Sequence, residues 1–549
     1  MNNTHAHTHS RLAVALLAAL GASGAQARGE CTLDAIRAIA PGDTVIDSVE
    51  ALPSPVPHCK IDGHIITTNP GPNQVNFRLQ LPDDNWTKRF YFIGLGGSAG
   101  YVPTDSQIPA GNPLRAGFAV AGTDTGRQGS AGDWNFLSES PAKALDHNHR
   151  GAHVTTVAAQ AITRAYYGSD ELYRYTSGCS GGGRMATQAI ENYPGDYDGV
   201  ILGAPGGRSS GSMLKFIHAA QQMYREPGAW LSPAKLAMVD GKVTAACDGS
   251  DGVIDGVVAD HRLCDFDVAS LKCPAGDGTD CLTQPEITSI KAILDGPRGP
   301  DGKLLAQPMQ ITNMTMWSQF LGQTPPPWST EPSRENAMRA SAGFTMSTSL
   351  AHAFFGKDYD VLKFDFNNQR HIDDWWAAAR RTGFGMPYSA DLKGFYEAGG
   401  KVILWNGRSD SCCGDLELEQ YYLDAGRSVG DAAKLDEFAR LYQIPGMGHC
   451  GSGTGPLDAP DQFIRAMVDW VEKDVPPGPV VAHRGDERAR LIFADPKTGQ
   501  VSGVVIPPPV GEPRDFLLCP YPRIAVFNPA AGHDKGAVYD ARNWLCRAP

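Results

Sequence analysis

Short apolar runs rich in β-branched and aromatic residues alternate along this chain with longer stretches of helical periodicity. The runs predict strands at 89–95, 117–122, 172–176, 199–202, 401–405 and 438–444. The periodicity predicts helices at 142–167 and 182–192, one from 416 onward, and one at about 459–473. Strands that alternate with helices in this way are typical of an α/β chain with a parallel sheet.

This rhythm is interrupted between Gly206 and Ala398, where Pro, Trp, Met and Cys occur in irregular stretches. The simplest interpretation is an α/β core formed by 28–205 and 399–549, with 206–398 inserted as a lid domain. Ligands of such sheets bind beyond the carboxyl ends of the strands. We therefore expect the insertion to lie over the binding site.

The start of the chain predicts export. Leu12 to Leu20 is an apolar run, and it is followed by Ala25-Gln26-Ala27, which matches a signal-peptidase site. Residues 1–27 are thus predicted to be a signal peptide, with a mature chain that begins near Arg28 and is secreted or periplasmic. No later segment reaches the roughly 18 apolar residues that a transmembrane helix needs, so we expect no membrane partner.

Charge and cysteine content narrow the class further. A net charge of -12 and a pI near 5.7 argue against nucleic acid and anionic membrane surfaces as partners. The 12 cysteines are an even number in a chain predicted to be exported, which favours disulfides. Zinc is disfavoured because the cysteine spacings do not form paired C-x-x-C knuckles. Nothing in the pattern indicates an oligomeric state.

A candidate nucleophile lies between a predicted strand and a predicted helix. Gly178-Cys179-Ser180-Gly181-Gly182 satisfies G-x-S-x-G, in which small neighbours allow a sharp turn that projects the serine hydroxyl. The N–H of Gly181 would then point at the developing oxyanion. A glycine-rich loop without catalytic function remains the alternative at this point.

The acid and the base are expected after later strands, in the order Ser, Asp, His. Asp410 follows the predicted strand 401–405, and His449 follows the strand 438–444. Asp415 is a rival acid, although it is better placed to cap the next helix.

Cysteines flank both candidates: Cys179 directly precedes Ser180, and Cys450 directly follows His449. A disulfide between them requires Cα atoms roughly 4.4–6.8 Å apart. Such a bond would hold Ser180 and His449 near each other, so we predict it.

These motifs resemble the tannase/feruloyl esterase family over essentially the whole mature chain. The resemblance rests on Gly178–Arg184, Tyr197–Pro205, Asp410 and Gly446–Cys450, with support from Thr123–Gly126 and Arg150–His153. It implies an α/β-hydrolase core with a large lid and a triad of Ser180, Asp410 and His449. It also implies oxyanion amides from Gly181 and from a glycine within 94–100, for which Gly97 is preferred.

Asp248 to Val257 in the insertion places three carboxylates among glycines, a composition that suits a hard cation such as calcium. On the pattern alone, an Asp/Gly turn is the alternative. The resemblance implies a structural Ca²⁺ site with a defined ligand set: the side chains of Asp248, Asp251 and Asp255 and the carbonyls of Val253 and Val257.

The remaining cysteines follow nearness and the family pattern, which imply Cys31–Cys59, Cys247–Cys264, Cys273–Cys281 and Cys519–Cys546. Cys412 and Cys413 are left over, at a place where this chain departs from the family's usual Asp-Pro-like continuation. They could form a vicinal disulfide, stay free or bond elsewhere.

The function implied is a secreted serine esterase that acts on a small-molecule ester of an aromatic acid of the gallate, ferulate or terephthalate kind. The alternatives are an esterase for aliphatic or toxin esters and a catalytically inactive binding protein. Aromatic residues of the insertion are candidates for clasping an aromatic acyl group, although most are expected to form lid core: Trp317, Phe320, Trp328, Phe344, Phe354, Phe355, Trp375 and Trp376.

Overall fold

The computed structural model describes residues 1, 28–103, 113–206, 209–330, 341–430, 432–485, 490–491, 505–506, 510–532 and 534–548. The predicted signal peptide, apart from Met1, lies outside the described residues. The α-helices are Leu33–Ile39, Phe136–Glu139, Pro141–Leu145, Gly151–Tyr167, Gly181–Asn192, Ser209–Tyr224, Pro233–Cys247, Gln284–Asp295, Ser318–Leu321, Ala342–Phe355, Gln369–Thr382, Lys393–Glu397, Asp415–Ser428, Ala432–Phe438, Ala459–Lys473 and Lys535–Val538.

A nine-stranded sheet forms the centre of the molecule. Its strands are β1 (Thr44–Leu52), β2 (His58–Thr67), β3 (Asn73–Pro82), β4 (Arg89–Ile93), β5 (Phe118–Thr123), β6 (Tyr173–Cys179), β7 (Gly199–Gly203), β8 (Lys401–Gly407) and β9 (Ala439–Ile444). They lie in the order β1-β2-β3-β5-β4-β6-β7-β8-β9. From β5 through β4 and on to β9 all neighbours are parallel. The carboxyl ends of β6, β8 and β9 therefore meet at one edge of the sheet.

The sheet is mixed, in contrast to the parallel sheet that was predicted, because β1, β2 and β3 add an antiparallel extension. Buried and partly exposed positions alternate along β2 and β3, as expected for strands with one face on the core and one toward solvent. The six predicted strands are all present, with ends shifted by at most a few residues. Four of these six, β4, β5, β7 and β8, are nearly fully buried, and their continuous apolar runs are easier to recognise in a sequence.

The stretch 206–398 contributes helices and no strand of the sheet within its described residues. Its apolar side chains form a second core, separate from the core around the sheet. This second core also takes in Trp134 and Phe136 from the first part of the chain and Cys412 and Cys413 from the loop after β8. The insertion is thus packed against loops at the carboxyl edge of the sheet. Its limits as a separate lid domain remain a prediction.

The C-terminal residues form small antiparallel pairs beside the core. They are β10 (Val480–Arg484) with β13 (Arg514–Leu518), β11 (Arg490–Leu491) with β12 (Val505–Ile506), and β14 (Ile524–Phe527) with β15 (Trp544–Arg547). Val253 of the insertion packs with Phe527, Val538 and Trp544 in a third, small cluster. None of the described helices has the length and apolar character to cross a bilayer.

All five predicted disulfides are present, which confirms the pairings. Four of them join residues no more than 28 positions apart in sequence, namely Cys31–Cys59, Cys247–Cys264, Cys273–Cys281 and Cys519–Cys546. The fifth, Cys179–Cys450, spans 271 positions. Cys412 and Cys413 are both free and buried.

Candidate functional site

Ser180 occupies the sharp turn between β6 and the Gly181–Asn192 helix. Its backbone has φ +60° and ψ −122°, and its N–H donates to the Gly203 carbonyl at 3.0 Å, which fixes the turn to β7. A non-glycine residue with positive φ is uncommon, and such strain costs on the order of 1–3 kcal/mol. A strained serine at a strand-to-helix turn is the arrangement that exposes a nucleophilic hydroxyl.

The loop after β4 lies directly against this turn. A Cβ added to Gly181 would overlap the Gly97 carbonyl oxygen and lie 2.8 Å from the Gly97 nitrogen, so the close approach requires glycine. The Gly181 N–H is in the first helical turn, where no intrahelical acceptor exists. The Gly97 N–H has no backbone acceptor among the described residues. Both predicted oxyanion amides therefore lie close to Ser180.

The Cys179–Cys450 disulfide joins this turn to the loop that carries His449. Its Cα atoms are 5.9 Å apart, so the residues next to each cysteine, Ser180 and His449, are held in adjoining positions. β6 and β9 are separated by two strands, and the disulfide bridges that gap at the edge of the sheet.

Asp410 and His449 are hydrogen-bonded, with His449 Nδ1 2.9 Å from Asp410 Oδ2. The second oxygen of Asp410 accepts the N–H groups of Cys412 at 2.8 Å and Cys413 at 2.9 Å. The carboxylate is fully buried, and these three bonds leave it a single orientation. Sequence reasoning did not identify the two backbone donors, because any residue type can supply an N–H group.

Burial and the neighbouring negative charges act in opposite directions on the pKa of His449. Burial alone would lower the pKa of the imidazole. The Asp410 carboxylate and the Cys412 thiol outweigh that effect and raise the pKa of His449 well above its usual value. A stabilised imidazolium is what a histidine needs if it accepts a proton from a serine during reaction.

Asp415, the rival acid, lies elsewhere in the structure. Its side chain accepts Arg408 Nη1 at 2.8 Å and Gln307 Nε2 at 2.7 Å. Burial would raise its pKa, but His261, Arg408 and Gln307 together lower that pKa. The suggestion that it caps the following helix is wrong, because Asp415 is the first helical residue and Gly414 holds the cap position. Its partners Gln307 and His261 belong to the insertion, so it anchors the insertion to the core.

The insertion supplies two side chains at the site whose positions the sequence did not specify. The Phe320 ring meets the His449 ring edge-on, with centroids 6.0 Å apart, and stacks on Phe216 at 5.1 Å. The Lys215 ammonium is buried and donates to the Cys412 carbonyl at 2.8 Å. Phe320 was one of eight aromatic candidates, and Lys215 carried no signal beyond its charge.

The free cysteines lie beside the histidine. The Cys412 and Cys413 sulfurs are 3.5 Å apart, with no bond between them. The hydrogen bond from Cys413 and the nearby His449 lower the pKa of the Cys412 thiol to about 5 despite burial. The same hydrogen bond, burial and the charge of Cys412 raise the pKa of the Cys413 thiol. Of the open alternatives for these cysteines, the structure has the free thiols.

The predicted calcium loop is a compact turn in which backbone N–H groups donate to the loop's own aspartates. Asp248 accepts the N–H groups of Asp255, Gly256 and Val257, and Asp251 accepts that of Val253. Burial and the charges of Asp255 and Asp248 raise the pKa of Asp251 to about 6. Asp255 also pairs with Arg514, and the three carboxylates do not all approach within 4.8 Å of one another in the part the structure describes.

The donor types of this loop fit a hard cation, since three carboxylates that repel one another lie in one stretch with backbone carbonyls. Its last residue also reaches the loop that carries His449. Val257 packs on Gly446, where an added Cβ would lie 2.8 Å from Val257 Cγ1. The loop thus supports the segment that carries His449.

Comparison with known proteins identifies the family. The model of the family described as tannase and feruloyl esterase matches residues 59–546. The chain belongs to the tannase and feruloyl esterase family. As in other members of this family, it is a carboxylic ester hydrolase.

Relatives of this tannase and feruloyl esterase family member cover most of its length. An uncharacterized esterase of Xanthomonas campestris pv. campestris is 29% identical over 92% of this chain and 86% of its own. The mono(2-hydroxyethyl) terephthalate hydrolase of Piscinibacter sakaiensis is 28% identical, covering 91% of this chain and 86% of its own. The crystal structure of feruloyl esterase B from Aspergillus oryzae has a TM-score of 0.74 at 22% identity, over 93% and 98% of the two chains. That likeness shows a shared fold with an α/β-hydrolase core.

Two substitutions separate the candidate acids. Asp410→Asn is expected to lower kcat about 10⁴-fold, because an amide favours the wrong histidine tautomer, while the melting temperature stays close to wild type. Asp415→Asn should keep kcat but destabilise the fold by about 1.5–3 kcal/mol, because it weakens the 2.8 Å bond to buried Arg408, whose other carboxylate neighbours lie at 3.9 Å. The measurements are kcat at a temperature where both variants are folded and unfolding followed by circular dichroism. Loss of activity in a folded Asp415→Asn protein would contradict the assignment.

Proposed function

We propose that this chain is a secreted serine esterase in which Ser180 is the nucleophile, His449 the general base and Asp410 the residue that orients it. The observation that carries the proposal is that the turns bearing these three residues meet at the carboxyl ends of β6, β8 and β9. The Cys179–Cys450 disulfide holds the serine turn beside the histidine loop, and Asp410 lies 2.9 Å from His449 Nδ1.

The proposed reaction is ester hydrolysis by acyl transfer. Ser180 Oγ attacks the ester carbonyl while His449 Nε2 takes the hydroxyl proton, and the N–H groups of Gly181 and Gly97 stabilise the oxyanion. His449 then returns the proton to the leaving alcohol. Water attacks the acyl-serine by the same route and releases the acid. Asp410 keeps Nδ1 protonated throughout.

The acyl group is proposed to be aromatic. Phe320 lies against His449 and is backed by Phe216, so a flat ring attached to the reacting carbonyl would find an aromatic surface at the site. The names of relatives and structural neighbours agree with this class, since they include a terephthalate monoester hydrolase and a feruloyl esterase. Gallate, ferulate and terephthalate esters are the candidates.

A panel of methyl gallate, methyl ferulate, mono(2-hydroxyethyl) terephthalate and methyl butyrate tests the substrate class. We expect kcat/KM for the best aromatic ester to exceed that for the aliphatic one by at least about tenfold, the size of effect that hydrophobic pocket contacts supply. Ser180→Ala should lower kcat at least about 10⁴-fold on every ester. Ser138→Ala, at an exposed serine, serves as the matched control. A preference for butyrate would favour the aliphatic alternative, and full activity of Ser180→Ala would overturn the nucleophile.

The Asp248–Val257 loop is proposed to bind one structural Ca²⁺ through Asp248, Asp251, Asp255 and the carbonyls of Val253 and Val257. The repulsion among the carboxylates supports this proposal: burial and the charges of Asp255 and Asp248 raise the pKa of Asp251, and a cation would offset those charges. Arg514 partly offsets the same charge at Asp255. The ion would brace the contact of Val257 with Gly446 and would take no direct part in the reaction.

Chelation tests the calcium proposal. With free Ca²⁺ at about 100 times the Kd of the site, binding should add about 2.7 kcal/mol to the free energy of unfolding. Chelation should remove this contribution and lower the melting temperature accordingly. Asp251→Asn should begin at the lowered melting temperature and respond little to chelator. Asp358→Asn, at an exposed aspartate of the insertion, should behave as wild type. An unchanged melting temperature in wild type after chelation would contradict the site.

Secretion is proposed from the predicted signal peptide and the five disulfides, since disulfides persist in oxidising compartments. When the full chain is expressed in a bacterial host with an export pathway, the active protein should be found in the periplasm or medium. Its N-terminal sequence should begin at or near Arg28. Retention of residues 1–27 on the active protein would contradict the proposal.

A further inference from the structure

Two thiols converge on the His449 imidazole in a way that ester hydrolysis does not require. The ligand atoms of Cys412, Cys413 and His449 all lie within 4.8 Å of one another, and in the described part of the chain they are the one such group of three. The ten other cysteines are in disulfides, whereas these two are free and buried. The proposed acyl-transfer steps use neither sulfur.

The spacing of the sulfurs matches that of two ligands on one metal ion. Two sulfurs each about 2.3 Å from a tetrahedral zinc ion are separated by roughly 3.8 Å. The Cys412 and Cys413 sulfurs are already 3.5 Å apart, so they need to open by only a few tenths of an ångström.

The imidazole is oriented for the same ion. His449 Nδ1 is held by Asp410 Oδ2 at 2.9 Å, which leaves Nε2 as the nitrogen that can bind a metal. A carboxylate that accepts the remaining N–H of a metal-bound histidine commonly fixes the orientation of its ring. The Asp410–His449 pair therefore has the geometry of a metal ligand with its support in place.

The charges around the two sulfurs favour a bound cation. Two thiolates beside the Asp410 carboxylate would concentrate three negative charges in a buried region. The Lys215 ammonium, 3% exposed and 2.8 Å from the Cys412 carbonyl, partly offsets them, and a divalent cation would offset the rest. Thiolate and imidazole ligands select zinc and similar borderline-soft ions over calcium or magnesium.

We propose that Cys412 Sγ, Cys413 Sγ and His449 Nε2 form a binding site for one thiophilic divalent cation of the zinc class, which reversibly inhibits the esterase. Binding forms two metal–sulfur bonds and one metal–nitrogen bond and displaces to solvent the protons that the two sulfurs and His449 Nε2 carry. No electron transfer is involved. The ion occupies the lone pair with which His449 would accept the Ser180 proton, so metal binding and catalysis exclude each other. The inhibition rests on the proposed function, whereas the metal site itself does not.

Cobalt binding tests the site without using activity. Co²⁺ is titrated into the full mature protein with Ca²⁺ present, and the ligand-to-metal band of thiolate-bound cobalt is followed in the near ultraviolet. We expect one equivalent to bind with this band and with the visible absorption of tetrahedral cobalt. Ser180→Ala, which retains all three ligands, should give the same spectrum. Cys412→Ser and Cys413→Ser should each lose most of the band and bind at least tenfold more weakly.

Zinc inhibition tests the consequence. Zn²⁺ should inhibit wild type, with recovery on adding a zinc-selective chelator in excess Ca²⁺, and the inhibition constant should rise at least tenfold in either serine variant. Equal inhibition of wild type and both variants, or no thiolate band with Co²⁺, would overturn the site. The thiolate band without inhibition would overturn His449 as a ligand.

Mass analysis after alkylation should find both thiols modified, and a Cys412–Cys413 disulfide would also overturn the proposal. Failure of the proposed function would instead appear as activity in Ser180→Ala, which leaves the cobalt result unaffected.

Discussion

The parallel order of β6, β7, β8 and β9 is the constraint on which the rest of the site depends. Parallel strands present their carboxyl ends at one edge, so the turns after β6, β8 and β9 are neighbours although they are far apart in sequence. Ser180, Asp410 and His449 are the side chains that these three turns present. If one of these strands ran antiparallel to the others, its turn would lie at the opposite end of the sheet, and no local adjustment could bring the three residues together.

The insertion packs against the loop that carries Asp410. Its buried apolar core encloses Cys412 and Cys413, and its Gln307 and His261 bind Asp415 at the start of the helix after the Asp410 loop. The acid loop is thus held from two sides, by the sheet below and by the insertion above. Because the loop is held in this way, its backbone amides at Cys412 and Cys413 can orient the buried Asp410 carboxylate.

Much of the core could be predicted from the sequence because its strands are short apolar runs bounded by glycine or proline. The pairing of Ser180 with His449 could also be predicted, since a cysteine adjoins each residue. β1–β3 were not predicted because their half-exposed faces break up the apolar pattern. Asp415 looked like a helix cap because its true partners, Arg408 and Gln307, are specified by tertiary packing. The proximity of Cys412 to His449 was hidden for the same reason, since it depends on how two loops meet.

The 271-residue span of the Cys179–Cys450 bond has a consequence for maturation. The other four disulfides close loops of at most 28 residues and can form as soon as each segment emerges. Cys450 emerges 271 residues after Cys179 and, because domains fold largely in the order of synthesis, it must find a β6 turn that is already in place. Of the five disulfides, the one that brings the histidine loop to the serine therefore has the longest delay between its two cysteines. Assembly of the site and oxidation of this bond are one event, so a chain that lacks the bond carries a folded serine turn without its base.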